Sequence, residues 1–432
     1  MAIQHAPATL NPRAIRAGFP ILQQTNGRGQ RLVYLDSAAS AQKPAVVLDA
    51  VAHYYRHDNA NIHRGVYALS ERATAAYETA RGQVASFLGA PDPACCLFVR
   101  NATEALNLVA YSWGRHAIAA GDLLVVTLLD HHANLVPWQI LAGEQGAELA
   151  YVGVTPAGRL DEDHFARLLD RGPKLVALPQ VSNALGTIVD VARWARAAKA
   201  AGATVVVDGA QSAPHLAIDV VALGCDFFAA SGHKLLAPMG SGVLWGRRDL
   251  LEAMPPFLFG GGMIRQVTVE GTTWAELPAK FEAGTPAVGE AIGLGAAVTY
   301  LHELGMDRVR EHERALTAYA LDRLQALPNL TLHGPGEAAD QAGVVGFSVA
   351  GCDPRRVAEV LDQENIAVRA GMHCCHPLMH ALGLTGIIRA SFSIYNDDED
   401  VDLLVAGLKH AIQQVQGTPG VVVDPANPCG RP

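Results

Sequence analysis

The sequence predicts an α/β fold with a mostly parallel central sheet and a smaller C-terminal α+β domain. From Leu97 onward, short apolar runs alternate with helical patterns, which is typical of parallel sheets. The run Thr204–Asp208 is β-branched and apolar up to its terminal acid, the pattern of a buried parallel strand. After Gly305 the pattern changes to helix, strand, helix, strand, helix, which indicates a second unit.

The first part of the chain is predicted to be an arm that leads into a strand and two helices. Residues 1–30 form the arm, with a short helix near Asn11–Phe19. A strand is expected at Leu32–Asp36, a helix from Pro44 to about Tyr55, and a long Ala-rich helix over Ser70–Leu88.

The central sheet is predicted to have seven strands joined mainly by helices. These strands are Leu97–Arg100, Leu123–Thr127, Glu148–Val152, Lys174–Pro179, Thr204–Asp208, Asp226–Ala230 and Gly242–Trp245. The helix Val191–Ala201 shows the expected signals, with Asp190 as N-cap and Gly202 at its end. A longer helix, Val288–Leu304, is expected to bridge to the second unit.

The C-terminal unit is predicted to contain three strands and three helices, arranged mainly as local hairpin-like units. The strands are Leu330–His333, Val344–Val349 and Ile366–Arg369, and the helices are Met306–Ala326, Pro354–Glu364 and Glu399–Gln416. The predicted domains are therefore an arm at 1–30 that packs with the small domain, a large domain at 31–304, a small domain at 305–416 and a flexible tail at 417–432.

Composition narrows the class of protein. Among 432 residues, 50% are hydrophobic and 17% charged, as in globular proteins, and the net charge of −9 argues against a nucleic-acid partner. We find no apolar stretch of transmembrane length and no signal-peptide pattern. The seven cysteines are odd in number and irregularly spaced, which predicts a cytoplasmic protein with reduced thiols.

Four polar residues of different kinds follow the ends of predicted strands: His131, Asn183, Asp208 and Lys234. Open α/β sheets bind ligands where their parallel strands end. An Asp and a Lys at such ends fit a pyridoxal phosphate (PLP) site, in which the Lys forms a Schiff base and the Asp pairs with the pyridinium nitrogen.

Two further motifs each have a plain structural alternative. The segment Asn101–Asn107 opens a helix and fits an anion site, or equally a capping box with Asn101 and Glu104. The segment Asp130–Asn134 contains two His residues, of which one fits stacking on an aromatic cofactor. A metal site is disfavoured because no third or fourth ligand stands at a convincing spacing.

These motifs together resemble the class V aminotransferase family of PLP enzymes, and within it the SUF-type cysteine desulfurases. The matching segments are Asp130–Asn134, Val181–Asn183, Val207–Ser212, Ser231–Lys234, Phe281–Pro286 and Arg369–Pro377. The resemblance extends from Asn61–Gly65 to Arg389–Asn396. It implies the fold of PLP-dependent transferases of fold type I.

The resemblance implies roles for the cofactor-site residues. Lys234 would hold PLP as a Schiff base, Asp208 would contact the pyridine nitrogen, and His131 would stack on the ring as a catalytic residue. The other cofactor contacts that it implies are Asn183 and Gln211 near the phenolic oxygen, Thr103, Ser231 and His233 at the phosphate, and Thr285, which reaches the phosphate of the neighbouring subunit. Arg389 would bind the substrate carboxylate, with Asn183, His63 and Arg369 as further substrate contacts.

Cys374 takes the position of the family's nucleophile, in a segment that usually reads RAGHHC and here reads RAGMHC. His373 and Arg369 are expected to favour its deprotonation. Cys375 is expected to point away from Cys374, since adjacent residues of an extended strand face opposite sides, and not to be essential. A metal site formed by Cys374, Cys375 and His376 is disfavoured because contiguous ligands rarely close on one ion.

The activity implied by the resemblance is that of a cysteine desulfurase. L-Cysteine would give L-alanine and a persulfide on Cys374, which a SufE- or SufU-like acceptor protein would collect for iron–sulfur cluster assembly. A homodimer with composite sites is also implied. The alternatives are a selenocysteine lyase, another class V PLP enzyme such as a transaminase or epimerase, and a non-catalytic scaffold of a sulfur-transfer complex.

Overall fold

The structure is a computed structural model, and it describes residues 10–415. The predicted tail at 417–432 and Cys429 lie outside the described residues. Within them, the chain forms a seven-stranded sheet, a four-stranded sheet and two two-stranded sheets, surrounded by helices. No helix among residues 10–415 is both long enough and apolar enough to cross a membrane.

The strands are short and most are buried. They are β1 (Val33–Tyr34), β2 (Cys96–Val99), β3 (Leu123–Thr127), β4 (Glu148–Val152), β5 (Leu175–Pro179), β6 (Thr204–Asp208), β7 (Phe227–Ser231), β8 (Gly242–Gly246), β9 (Ile264–Val267), β10 (Thr272–Trp274), β11 (Leu330–His333), β12 (Val344–Val349), β13 (Ile366–Ala367), β14 (Arg369–Gly371) and β15 (Ile387–Ser391).

The helices vary from one turn to twenty residues. They are α1 (Pro12–Ala17), α2 (Ala45–His53), α3 (Ala68–Phe87), α4 (Ala102–Leu108), α5 (Arg115–Ala117), α6 (Val136–Gln145), α7 (Glu162–Leu169), α8 (Val191–Ala200), α9 (Val220–Leu223), α10 (Arg248–Ala253), α11 (Val288–Leu304), α12 (Met306–Gln325), α13 (Pro354–Gln363), α14 (His376–Ala381) and α15 (Asp398–Val415). Two π-helical turns, Tyr54–Asp58 and Val109–Gly114, extend α2 and α4.

The seven-stranded sheet confirms the predicted α/β class. Its strand order is β2-β8-β7-β6-β5-β3-β4, and β3 to β7 run parallel while β8 is antiparallel to both neighbours. Every residue of β3, β5, β7 and β8 is buried. Because β7, β6, β5 and β3 are neighbours and parallel, their carboxyl ends lie side by side at one edge of the sheet.

The four-stranded sheet has the order β11-β12-β15-β14 and is antiparallel throughout. The helices α12, α13 and α15 pack on it through a second apolar core. Only β11 and β12 form the expected local hairpin-like pair. Strand β15, which the sequence prediction lacked, lies between β12 and β14 and connects them.

The predicted strand Ile366–Arg369 is wrong as a single element. Residues of β13 pair with β1 in parallel, whereas β14 pairs with β15, so the chain changes partners at Val368. Strand β1 is also shorter than the predicted Leu32–Asp36. The exposed hairpin of β9 and β10 was not predicted at all. The division into four domains stays a prediction.

The start of the chain is held by ion pairs to the beginning of α15. Arg31 Nη1 lies 2.6 Å from Asp400 Oδ1, and Arg16 Nη1 lies 3.8 Å from Asp400 Oδ2. Arg13 pairs with Asp397 at 3.3 Å. Asp400 is fully buried, so its carboxylate is compensated by two guanidinium groups.

Candidate active site

A cavity of about 300 Å³ lies at the edge where the parallel strands end. It brings together most of the predicted site residues, although they come from distant parts of the sequence. The predicted residues that line it are Thr103, His131, Asn183, Asp208, Gln211, Ser231, His233, Lys234, Arg369, His373, Cys374 and Arg389. The side chains at the strand ends therefore converge on one cavity, as expected.

Lys234 and Asp208 form the charged centre of the cavity. Asp208 is the last residue of β6, and Lys234 ends a short 3₁₀ turn that follows β7. Burial lowers the pKa of Lys234 to about 8, with the Asp208 carboxylate acting against this. Burial raises the pKa of Asp208, and its hydrogen bond from the Ala210 N–H, 2.9 Å long, opposes the shift.

His131 is held in one tautomer. Its Nδ1 accepts a hydrogen bond from the Ala133 N–H at 3.0 Å, so the ring proton sits on Nε2. Burial and, to a smaller extent, the Lys234 ammonium lower the pKa of His131 to about 3. The ring at the cavity wall is therefore a neutral imidazole at physiological pH.

The start of α4 and the end of β7 meet at the opposite side of the cavity. The Ala102 N–H donates to Ser231 Oγ at 2.8 Å, so the Ser231 hydroxyl proton remains available to a ligand. Asn101 Oδ1 caps the helix by accepting from the Glu104 N–H at 2.9 Å. Asn101 is thus the helix cap of the predicted capping box, but the Glu104 carboxylate accepts from the Arg100 N–H at 2.5 Å instead of completing the box. Thr103 lines the cavity as well.

Asp36 is a site residue that the sequence analysis missed. It follows β1, and its carboxylate accepts hydrogen bonds from Arg369 Nη2 at 2.8 Å and from Arg389 Nη2 at 3.1 Å. Arg389 Nη1 donates to the Asn183 carbonyl at 2.8 Å. Arg389 is fixed in this way, and its Nε has no partner among the described residues.

Cys374 lies in a tight turn between β14 and α14, so the two cysteines face opposite ways because of this turn and not because of an extended strand. His373 and Cys374 have φ angles of 51° and 55°, in the left-handed region. The Cys375 N–H closes the turn on the Met372 carbonyl at 2.9 Å, and the His132 N–H donates to the Cys374 carbonyl at 2.9 Å. This turn exposes Cys374 and buries Cys375.

His373, which was expected to favour deprotonation of Cys374, has no positive charge with which to do so. Burial, followed by repulsion from Arg389, lowers the pKa of His373 to about 3. Its Nε2 donates to the Ile387 carbonyl at 3.1 Å, since a carbonyl only accepts, and the imidazole is neutral. Arg369, the other expected helper, forms its ion pair with Asp36.

His132 is a second residue whose role the sequence did not reveal. Its Nε2 accepts from the His376 N–H at 3.2 Å, and the two rings meet edge to face at 4.6 Å. His132 therefore holds α14 and the Cys374 turn against the segment after β3.

Within residues 10–415, no three or more His, Cys, Asp or Glu side chains are grouped so as to hold a metal ion.

Two predicted residues do not line the Lys234 cavity. His63 lies in the loop before α3, with its ring edge-on to Tyr77 at 6.0 Å. Thr285 lines a separate cavity of about 420 Å³, together with Phe98 and Glu282. The predicted role of Thr285 in a neighbouring subunit is not tested by a single chain.

Comparisons with known proteins show the family of this chain. Residues 33–404 match the family model described as Aminotransferase class-V. A probable cysteine desulfurase of Synechocystis sp. is 48% identical over 400 residues, covering 92% of this chain and 95% of the relative. A cysteine desulfurase of Dickeya dadantii is 49% identical over 404 residues, covering 93% and 97%.

Among solved structures, the cysteine desulfurase CsdA of Escherichia coli in its S-sulfonic acid form has a similar fold. The TM-score is 0.86 with 39% sequence identity, and the match covers 94% of this chain and 99% of that one. The similarity of fold therefore extends over nearly the whole chain.

Proposed function

The chain belongs to the class-V aminotransferase family, and from this premise we propose that it is a cysteine desulfurase that uses pyridoxal phosphate. It converts L-cysteine to L-alanine and retains the sulfur as a persulfide on Cys374. The observation that supports this best is that Lys234 and Cys374 line one cavity, although they are far apart in the sequence.

The residues present fit the cofactor. Three lining side chains have a buried polar atom without a hydrogen-bond partner among the described residues: Gln211 Oε1, His373 Nδ1 and Arg389 Nε. Buried polar atoms without partners are costly, so a polar ligand in the cavity is expected to satisfy some of them. When bound, pyridoxal phosphate withdraws electrons from the α-carbon of an amino acid.

Lys234 would hold the cofactor covalently through Nζ and later move a proton at the substrate α-carbon. A neutral amine is needed for both tasks, and its pKa of about 8 makes the neutral form accessible near physiological pH. Asp208 would face the ring nitrogen of the cofactor, where a cationic partner would offset the cost of burying its carboxylate.

The remaining cofactor contacts follow from position in the cavity. The neutral ring of His131 would lie against the cofactor ring, and Gln211 and Asn183 would flank it. Ser231, His233 and Thr103 would hold the phosphate, in the part of the cavity where α4 begins. An anion there is favoured by the dipole of the helix.

Arg389 would bind the substrate carboxylate. Its two Nη atoms are already fixed by Asp36 and Asn183, so its guanidinium needs no rearrangement to receive a ligand at Nε. Asp36 balances one of the two positive charges of Arg369 and Arg389. The pair with Asp36 thus has a single net positive charge, which suits a monocarboxylate.

Cys374 would act as the nucleophile. Its thiolate attacks the substrate sulfur, a bond forms between the two sulfur atoms, and the bond from that sulfur to the substrate β-carbon breaks. The electron pair of the broken bond stays with the carbon skeleton, which takes up a proton and leaves as alanine. Because Cys374 is exposed, its persulfide would be open to an acceptor protein, from which sulfur enters iron–sulfur cluster assembly.

We infer a homodimer with composite sites. Thr285 lies shortly after Glu282 in the chain. The Glu282 carboxylate accepts hydrogen bonds from Arg81 at 2.7 Å and from the Phe98 N–H at 2.9 Å, and these bonds hold the Thr285 segment in place. Exposed apolar side chains around it, such as Leu258, Phe259 and Tyr111, support burial against a second copy. We also infer a cytoplasmic location, which six unpaired cysteines among the described residues support.

The test is to incubate the purified, cofactor-loaded protein with L-cysteine and to measure alanine and the mass of the Cys374 peptide. We expect alanine and a mass increase of one sulfur atom on Cys374. Lys234→Ala should abolish alanine formation and the visible absorption of the bound cofactor. Cys374→Ser should abolish the persulfide and alanine formation from cysteine while leaving that absorption intact.

Two outcomes would contradict the proposal. Full desulfurase activity of Cys374→Ser would exclude Cys374 as the nucleophile. Alanine formation from selenocysteine but not from cysteine by the unmodified protein would favour a selenocysteine lyase.

A further inference from the structure

Cys375, next to the proposed nucleophile, is fully buried and makes a specific contact. Its Sγ lies 2.9 Å from Asn183 Oδ1, and it immediately precedes α14. Cys374 is exposed at the same turn. The two adjacent thiols therefore have opposite environments, and nothing in the proposed reaction uses the buried one.

The direction of this hydrogen bond is fixed by a second bond of the same amide. Asn183 Nδ2 lies 2.7 Å from the His373 carbonyl, which only accepts, so the nitrogen of the amide must face that carbonyl. The amide oxygen then faces Cys375. Since this oxygen also only accepts, Cys375 must be the donor and must be a protonated thiol.

We propose that Cys375 is a positioning residue: by donating its thiol proton to Asn183 it fixes the amide that holds the Cys374 turn against the cavity. Rotation of that amide by half a turn would place its oxygen against the His373 carbonyl and remove the contact. The Cys375 thiol disfavours this rotation, because its proton is hydrogen-bonded only when the amide oxygen faces Cys375. This inference rests on the proposed function, because the turn matters for catalysis only if Cys374 is the nucleophile.

The turn is also held by a second set of hydrogen bonds, which His132 provides. His132 donates its N–H to the Cys374 carbonyl, and its ring accepts from the His376 N–H. Cys374 therefore lies between two anchors, one on the segment after β3 and one on the segment after β5. Loss of the Asn183 anchor would leave the turn held by His132 and by the bond from His373 Nε2 to the Ile387 carbonyl.

Burial keeps Cys375 out of the sulfur route. Attack of a Cys375 thiolate on the outer sulfur of a Cys374 persulfide would move that sulfur to Cys375 and regenerate the Cys374 thiolate. Attack on Cys374 Sγ would form a disulfide between the two residues and release hydrosulfide. Burial raises the pKa of Cys375 to about 12. The thiolate needed for either step is therefore a fraction on the order of one in 10⁵ at pH 7.

The experiment compares the cofactor-loaded protein with the variants Cys375→Ser, which keeps a donor, and Cys375→Ala and Cys375→Val, which do not. Cys352→Ala, a half-buried cysteine of the C-terminal unit, is the matched control for thiol loss. We measure hydrogen–deuterium exchange of a peptide that spans residues 370–378, together with kcat and KM for L-cysteine and the position of the persulfide.

We expect exchange in this peptide to be at least fivefold faster in the Ala and Val variants, and kcat to fall at least threefold with KM within twofold. Cys375→Ser and Cys352→Ala should remain within twofold of the unmodified protein in both measurements. The persulfide should be found on Cys374 alone. Two non-donor variants are used so that poor folding of one does not decide the result.

The proposal fails if the Ala and Val variants match the unmodified protein, if Cys375→Ser is as impaired as they are, or if sulfur is found on Cys375. The exchange measurement needs no substrate. If the unmodified protein makes no alanine from cysteine, the proposed function fails while the exchange result still decides whether Cys375 positions the turn.

Discussion

At the scale of single residues, burial decides which groups of the site are charged. Lys234, His131 and His373 all line the cavity, and desolvation lowers the pKa of each one. The two imidazoles are neutral by a wide margin, whereas the amine lies close to its titration point. Lys234 is thus the group of these three whose protonation changes within the usual working range of an enzyme.

The pKa of Lys234 gives the first prediction. In protein from which the cofactor has been removed, the rate of its covalent recapture should rise with pH and level off above about pH 8, because only the neutral amine reacts. Below this pH the rate should fall about tenfold per pH unit. Stopped-flow absorbance after mixing with pyridoxal phosphate measures it, and a midpoint above pH 10 would contradict the assigned burial.

The sequence predicted those site residues that follow the end of a strand. It did not predict site residues whose bonding partners are far away in the chain. Lys234 and Asp208 could be found because each follows an apolar run. Asp36 was missed because its partners Arg369 and Arg389 are more than three hundred positions away in the chain. The neutral state of His373 could not be predicted, because its burial depends on tertiary packing that no local pattern shows.

At the scale of elements, the predicted strands of the central sheet are correct because each one is a continuous apolar run. The bounds of β3, β4 and β6 agree with the prediction to the residue. The hairpin of β9 and β10 was missed because its residues are mostly exposed and show no alternating pattern. Strand β15 was missed because its buried Arg389 and Ser391 interrupt the apolar run.

The segment that contains Thr285 gives the second prediction, through a buried ion pair. Arg81 and Glu282 are 2% and 7% exposed, so Glu282→Gln leaves the buried Arg81 guanidinium with only the partly exposed Glu78 as a carboxylate partner. We expect the free energy of unfolding to fall by about 3–5 kcal/mol, as is typical when one partner of a buried pair is removed. Urea-induced unfolding followed by circular dichroism measures this change.

Glu78 provides the matched control for this prediction. It also pairs with Arg81, at 2.9 Å, but its side chain is 44% exposed. Glu78→Gln should cost less than about 1 kcal/mol, since water replaces most of what the pair contributes. Equal losses for the two variants would show that burial is not what makes the Glu282 pair important.

At the scale of the whole molecule, the proposed dimer makes a prediction that two variants test together. Lys234→Ala and Thr285→Ala should each be impaired alone. If Thr285 completes the site of the partner subunit, a mixed dimer has one site with both residues intact and one site with neither. Co-expression with different affinity tags yields the mixed dimer for assay.

Random mixing of the two variants should recover about a quarter of the unmodified activity, because half of the dimers are mixed and half of their sites are complete. The purified mixed dimer should reach about half of the unmodified activity per dimer. No gain over the separate variants would place Thr285 in its own subunit's site and overturn the composite arrangement.

The pairing of β1 with β13 has a consequence for how the protein is made. The Val33 N–H donates to the Asn365 carbonyl at 2.9 Å, and the Asn365 side chain donates to the Gln30 carbonyl, 335 positions away. At a synthesis rate of about 5–20 residues per second, the first strand waits roughly 20–60 s for its partner to leave the ribosome. Asp36 meets Arg369 and Arg389 only then, so a growing chain has no complete substrate-binding face and cannot release sulfur before its synthesis is nearly finished.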